Sequence, residues 1–246
     1  MTAIAPEAAP PARTAVPDMP EDGVADALLR LSAARAGGAL FGAHGTVYLR
    51  DGAVVHAESP DAPSLDVLLD GTAHVAPGVL EICRLEALFD AAFFVLGPDS
   101  GPARFRPGAA HRSGPGHPVA AATVARESHR RRAMLDRVYP NPRLDSAPVR
   151  RHARPAARVT RRQRAVLQLA DGVRTPSAIA LALGCPAFHV LVEVRRLAAA
   201  GLVDVRPPEP DPEPLAPPPW LTAAAAPTAP PDVALLIRLR DALAAW

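Results

Sequence analysis

Proline is spread so unevenly along this chain that it limits where folded structure can lie before any helix or strand is assigned. Of thirty prolines in 246 residues, five fall in residues 1–20 and eleven in residues 207–231. Proline fixes φ and lacks a backbone N–H, so neither stretch can form the interior of a helix or a central strand. The first stretch, rich in alanine and poor in large apolar groups, is expected to be disordered. The second carries Glu209, Asp211 and Glu213 and is expected to be an extended acidic spacer. The length and this punctuation predict two small folded units joined by linkers.

The segment from Thr160 to Val205 is the most regularly organised. Thr160 with Gln163 three residues on is a capping box, so a helix starts there, and Asp171-Gly172 stops it. Thr175 before Pro176 supplies an N-cap with proline in the first helical position, and Gly184 closes this second helix. A third helix opens at Pro186 and runs to Gly201, with Leu202 to Val205 as a short strand. At 100° per residue Ala187, Val190, Leu191, Val194, Leu197 and Ala198 share a core face. His189, Val192, Glu193, Arg196 and Ala200 then point outward.

Three short helices with tight turns, the third longest and ending in LAAAGLV, resemble the winged-helix variety of bacterial helix-turn-helix domain. That resemblance implies that residues 186–200 are the element offered to a DNA major groove. The outward set is poor in base-reading side chains, lacking Asn, Gln, Ser and Thr, and Glu193 repels phosphate. Protein docking therefore stands beside DNA contact as a reading of this helix. No second wing strand is visible, because the proline tract begins at Pro207.

In the N-terminal half, Val24, Leu28 and Leu31 recur at helical spacing, Leu29 widens the stripe, and Gly37-Gly38 ends the helix. Thr46 to Arg50, Asp51-Gly52 and Ala53 to Ala57 predict a β-hairpin with a two-residue type I′ turn. The turn sets a register with Leu49 opposite Val54 and Val47 opposite His56 on one face, and Tyr48 opposite Val55 on the other. His56 is thereby expected on the apolar face as a hydrogen-bonded core residue. Ala39-Leu40-Phe41 supplies a third strand, Leu65 to Asp70 a short helix, Val79 to Leu96 a longer one and Ala103 to Arg106 a last strand. This helix, GGAL, VYLRDGAVVHA, the helices and the closing G-x-A-R-F together resemble the PATAN-type domain at the N-terminus of PatA-like bacterial response regulators. The resemblance covers residues 21–108 and implies a docking module with no catalytic residues.

Residues 107–121 read as a linker by composition, and 109–158 as a linker carrying a basic segment. From Arg126 to Arg164 there are thirteen arginines against Glu127, Asp136 and Asp145. A helix over residues 125–138 is expected to present Arg130, Arg131 and Arg132, and Tyr139 to Ala157 to be extended or irregular. The cluster admits two readings, phosphate neutralisation with counterion release or a solvated basic linker. The candidate DNA contacts are Arg130, Arg131, Arg132, Arg150, Arg151, Arg161, Arg162, His189 and Arg196.

All 27 basic residues are arginine. Absence of lysine excludes a standard P-loop, a protein kinase and a pyridoxal enzyme, each of which needs one. No Gly-x-Ser-x-Gly elbow occurs, no Cys-x-x-Cys or His-Glu-x-x-His occurs, and the eight histidines lack ligand spacing, so no enzyme, metal or cofactor is expected. Cys83 and Cys185 lie in apolar helical patterns and are expected as buried free thiols. No signal peptide is apparent and the longest apolar run, Ala87 to Leu96, is broken by Asp90, so a cytoplasmic protein without a membrane span is expected. The tail, residues 232–246, reads as an amphipathic helix with Leu235, Leu236, Leu239, Leu243 and Trp246 on its partner-binding side. A helix that short needs a surface to dock on.

The expected architecture is α+β: a small antiparallel-sheet-plus-helices domain over residues 21–108, then a mostly α winged-helix-like domain over 159–206, with disordered Pro-rich segments. The expected function is a bacterial transcriptional regulator or signalling protein that couples a docking or sensory domain to a DNA-binding domain. The alternative is a protein-interaction adaptor that does not bind DNA. Winged-helix regulators are commonly dimers, which makes a homodimer one expected partner, although no heptad seam is visible.

Overall fold

The computed structural model describes residues 23–69, 75–111, 116–152, 159–205 and 233–244. The chain up to residue 206 makes one compact unit, and the remainder, with its helix Val233–Ala244, makes another. The protein is α+β. The expected disordered segment at 1–20 and the acidic spacer at 207–231 lie outside the described residues.

The first unit opens with α1 (Val24–Ala33), which turns Val24, Ala27, Leu28 and Leu31 inward. Leu29 does not widen this stripe but faces solvent. Strands β1 (Gly38–Gly42), β2 (Gly45–Arg50) and β3 (Ala53–Glu58) follow as an antiparallel meander. Asp51 and Gly52, both at positive φ, form the expected type I′ turn between β2 and β3. The helices α2 (Leu65–Leu68), capped by Ser64, and α3 (Pro77–Val95) come next, and β4 (Arg104–Pro107) then pairs antiparallel with β1. A two-residue strand, β5 (Val119–Ala120), adds to the far edge in the order β4-β1-β2-β3-β5. Val47, Leu49, Val54 and Ala57 of the sheet pack with α1, the C-terminal half of α3 and Val124 in one apolar core.

The hairpin register differs from the one the turn alone predicts. Leu49 does face Val54, but a β-bulge follows, so that Tyr48 pairs with His56 and Val47 with Ala57. Val55 is the extra residue, and Val54 and Val55 are both buried in succession. One inserted residue reverses the side to which everything beyond it points. His56 is therefore not in the core but on the opposite face, beside Tyr48.

The stretch expected to be a linker is largely built into the fold. Helix α4 (Ala121–Val138) buries Ala121, Val124, Ser128, Arg131 and Leu135, and packs against α1, α3 and the last long helix of the unit. After it come α5 (Arg143–Ser146) and β6 (Val149–Arg151), where irregular chain was expected. The capping box of Thr160 and Gln163 starts α6 (Arg161–Leu169) with both reciprocal hydrogen bonds in place. Thr175 caps α7 (Pro176–Leu183), which ends on Gly184 in the left-handed conformation. Helix α8 (Ala187–Ala199) follows, and then β7 (Val203–Val205). Contrary to expectation, β7 has a partner: it pairs antiparallel with β6, which also bridges Asp171 between α6 and α7. That partner precedes the three helices in sequence, which is why a search beyond Val205 does not find it.

Cys83 and Cys185 are both free thiols, half-buried rather than fully enclosed, and burial pushes the Cys185 thiol pKa up. Among the described residues no helix is long and apolar enough to cross a membrane. The second unit contributes α9 (Val233–Ala244), with Val233, Ile237 and Leu243 exposed.

The turn between β2 and β3 yields a direct test. A Cβ on Gly52 would stand 2.5 Å from the carbonyl oxygen of Ser32 and 3.1 Å from Cα of Arg35, at a φ of 79°. Gly52→Ala is expected to lower unfolding stability by at least about 1 kcal/mol, read as a lower urea midpoint.

Candidate functional site

Two places concentrate chemistry: the junction of α3, α4 and α8, and a cluster on the sheet face opposite the core. At the junction, Asp90 interrupts the apolar second half of α3 and is 0% exposed. Its Oδ1 accepts from Nη1 of Arg131 at 3.1 Å and from the backbone N–H of Phe188 at 3.0 Å, and its Oδ2 accepts from the N–H of Ala187. One carboxylate from α3 thus pairs with a guanidinium of α4 and caps the first turn of α8, where the helix has unsatisfied N–H groups and a positive dipole end. Burial pushes the Asp90 carboxyl above its ordinary pKa, opposed by the Phe188 N–H, the Arg131 guanidinium and the Ala187 N–H. Arg131 also lies over the Phe188 ring, 4.6 Å from its centroid.

A second buried guanidinium repeats this arrangement further along α8. Arg195, 1% exposed, donates to Asp145 of α5 at 2.7 and 3.0 Å and to the carbonyl of Tyr139. Burial raises the Asp145 pKa, with the Arg195 hydrogen bond pulling it back. Between these two anchors α8 buries both sides. Ala187, Val190, Val194 and Leu197 pack toward α6 and α7, while Phe188, Leu191 and Val192 pack on Phe93 of α3 and Leu135 of α4.

This burial corrects the set of side chains expected on the outward face of α8. Val192 and Glu193, expected to face outward, are 6% and 7% exposed. The N-terminal residues that would lead into a groove are capped by Asp90. On the outer side Arg196 remains exposed, paired with Glu193 at 3.0 Å, and His189 is half-buried.

The other candidate DNA contacts divide into used and unused arginines. Arg131, 6% exposed, is not presented to solvent. Arg132 is half-buried, donates to the carbonyl of Phe93 and to Ser128, and sits over the Phe93 ring, so it too is a packing residue. Burial lowers the Arg132 pKa, opposed by the Asp145 charge. Arg130 is exposed but bound through two hydrogen bonds to Glu127, whose carboxyl Arg130 holds below its usual range. Arg150, Arg151, Arg161 and Arg162 are exposed and make no ion pair among the described residues. Arg151 lines a cleft with His152, Val159 and Arg164.

For the candidate partner residues of the tail, Leu243 is exposed on α9, and Trp246 lies outside the described residues. Leu235, Leu236 and Leu239 fall within α9.

The second cluster is one that sequence spacing does not reveal. On the face opposite the core, Tyr48 of β2 stands beside His56 of β3, their ring centroids 5.8 Å apart. His111, from the chain after β4, stacks on His56 at 3.8 Å and meets Tyr48 edge-on at 5.2 Å. Tyr48 donates its hydroxyl to Oε1 of Glu58 at 2.6 Å, and Nε2 of His111 lies 3.5 Å from Oε2 of Glu58. Burial and the Glu58 hydrogen bond push the Tyr48 phenol up to about 12, so it stays a donor at neutral pH. Burial, and then the neighbouring His111, lower the His56 pKa and favour its neutral form. His56, Glu58 and His111 line a cleft of about 300 Å³ that also carries Glu81 and His117, 3.2 Å apart.

The chain has no significant match among models of known families, curated proteins or solved structures.

The α3–α4–α8 junction makes a quantitative prediction. Asp90→Ala leaves the buried Arg131 guanidinium with only Glu127, 3.0 Å away, as its ion-pair partner and leaves two helix N–H groups unsatisfied, and is expected to cost about 2 to 4 kcal/mol in denaturant unfolding. Adding Arg131→Met to that variant removes the buried cation that has lost one of its two carboxylate partners and is expected to restore part of the loss, which a double-mutant cycle reads directly.

Proposed function

We propose that the chain is a protein-interaction module of a signalling or regulatory assembly, in which the three-helix segment is a structural centre and not a reader of DNA sequence. The observation that carries this reading is the two-sided burial of α8, with Asp90 on its first turn. Sequence-specific readout needs side chains that reach base edges, and here the eligible surface shrinks to His189 and a paired Arg196. Apolar surface is exposed elsewhere: Val79 and Ile82 at the start of α3 are 51% and 62% exposed, and α9 exposes Val233, Ile237 and Leu243. Such surface favours association with other proteins. The likeness of residues 21–108 to a PATAN-type docking domain points the same way.

A second reading, a transcriptional regulator that grips DNA through its backbone, is favoured by the exposed Arg150, Arg151, Arg161 and Arg162 and by the cleft that Arg151 shares with Arg164. Affinity of that kind has no sequence preference and falls steeply with salt.

Two measurements on the full chain separate these readings. Fluorescence anisotropy against mixed genomic duplexes is expected to show, at most, binding that vanishes at physiological salt and is lost in Arg150→Ala/Arg151→Ala/Arg161→Ala/Arg162→Ala. Cross-linking followed by mass spectrometry in cells is expected to give protein partners that disappear in Ile237→Asp/Leu243→Asp. Duplex binding that survives salt, prefers one sequence and fails in His189→Ala/Arg196→Ala would overturn the interaction reading.

A further inference from the structure

We infer that His56, Glu58 and His111 form a binding site for one zinc-class divalent cation on the outer face of the sheet, with a coordination position left open to the adjoining cleft. The nearest donor atoms of the three side chains all lie within 4.8 Å of one another. A tetrahedral zinc centre with bonds of about 2.0 to 2.1 Å places its ligand atoms about 3.3 Å apart. The 3.5 Å between Nε2 of His111 and Oε2 of Glu58 already matches one edge of that figure. Closing the remaining edges requires the half-buried His56 ring to tilt out of its stack on His111, so that both ring nitrogens converge on one ion.

The ligand set comes from the backbone. The bulge at Val55 turns His56 and Glu58, two residues apart on β3, to the same face as Tyr48. Without the extra residue in β3, the pairing would put His56 on the core side. His111 arrives from the far edge of the sheet and stacks on His56. Two stacked imidazoles and a carboxylate suit a borderline cation better than calcium or magnesium, which prefer oxygen alone.

Glu58 has the support that metal-bound carboxylates commonly have. The Tyr48 hydroxyl fixes Oε1 at 2.6 Å and leaves Oε2 toward His111. Three protein ligands and one open position is the arrangement of exchangeable rather than closed structural sites. The open side borders the cleft that also carries Glu81 and His117.

The test is calorimetric titration of the full chain with zinc chloride near neutral pH, paired with cobalt substitution read in the visible spectrum. One zinc per chain is expected, with cobalt bands of four- or five-coordinate intensity. Glu58→Gln and His111→Gln, both at partly solvated positions, and His56→Ala are each expected to weaken binding by at least about tenfold, and Tyr48→Phe by about tenfold through loss of carboxylate orientation. His129→Ala, exposed on α4, is expected to bind like the parent. Circular dichroism of each variant reports folding, and the two glutamine variants keep the test valid if His56→Ala does not fold. No zinc bound by the parent, or affinity and cobalt spectrum unchanged in Glu58→Gln and His111→Gln, would overturn the site.

Discussion

The carboxylate of Asp90 is the group through which three helices distant in sequence are fixed to one another. An ionised carboxyl enclosed in apolar surroundings is tolerated only with its charge paired and its lone pairs occupied. Here the guanidinium of Arg131 supplies the charge, and the first N–H groups of α8 supply the hydrogen bonds. Because each partner belongs to a different helix, satisfying this one residue determines where α4 and α8 lie on α3. Arg195 and Asp145 do the same at the other end of α8. The sheet and the three-helix segment consequently share a continuous interior, with Phe94 touching the clusters on both sides.

This arrangement changes what the arginine-rich segment means. As a string of letters, residues 126–164 look like a cationic ribbon available to any polyanion. In three dimensions Arg131 and Arg132 of that segment, like Arg195 of α8, are structural cations whose planar guanidinium groups bond several acceptors, the first two also stacking on Phe188 and Phe93. The positive charge left on the surface is smaller, and among the described residues it lies on Arg126, Arg130 and Arg137 of α4, Arg143 of α5, and the arginines of β6 and α6. Helix α8, packed against α6 and α7 on one side and α3 and α4 on the other, keeps little exposed surface.

The cluster of Tyr48, His56, Glu58 and His111 depends on a different constraint, the count of residues across a hairpin. A period of two means that one extra residue transfers every later side chain to the other face. Val54 and Val55 are both apolar and both buried, and the bulge falls at this pair, so that the alternation of β3 restarts at His56. Its consequence is that a histidine destined for the core by simple alternation is instead set beside a glutamate and a second histidine.

Local chemistry was legible in the sequence wherever one turn of chain suffices. The capping box at Thr160, the Thr175-Pro176 start, the Gly184 stop and the Asp51-Gly52 turn all follow from side chains bonding to their own backbone or from positive φ, and each stands where expected. The α+β class and most element boundaries follow for the same reason. Asp90 was visible too, but only as a break in an apolar run; an isolated carboxylate in such a run signals a buried partner without saying which. The strand that pairs with β7, the helix that turns Arg131 and Arg132 inward, the burial of Val192 and Glu193, and the meeting of His111 with His56 are all decided by groups tens of residues apart. No periodicity encodes them, because they arise only when one element's unsatisfied charge or edge meets another's in space.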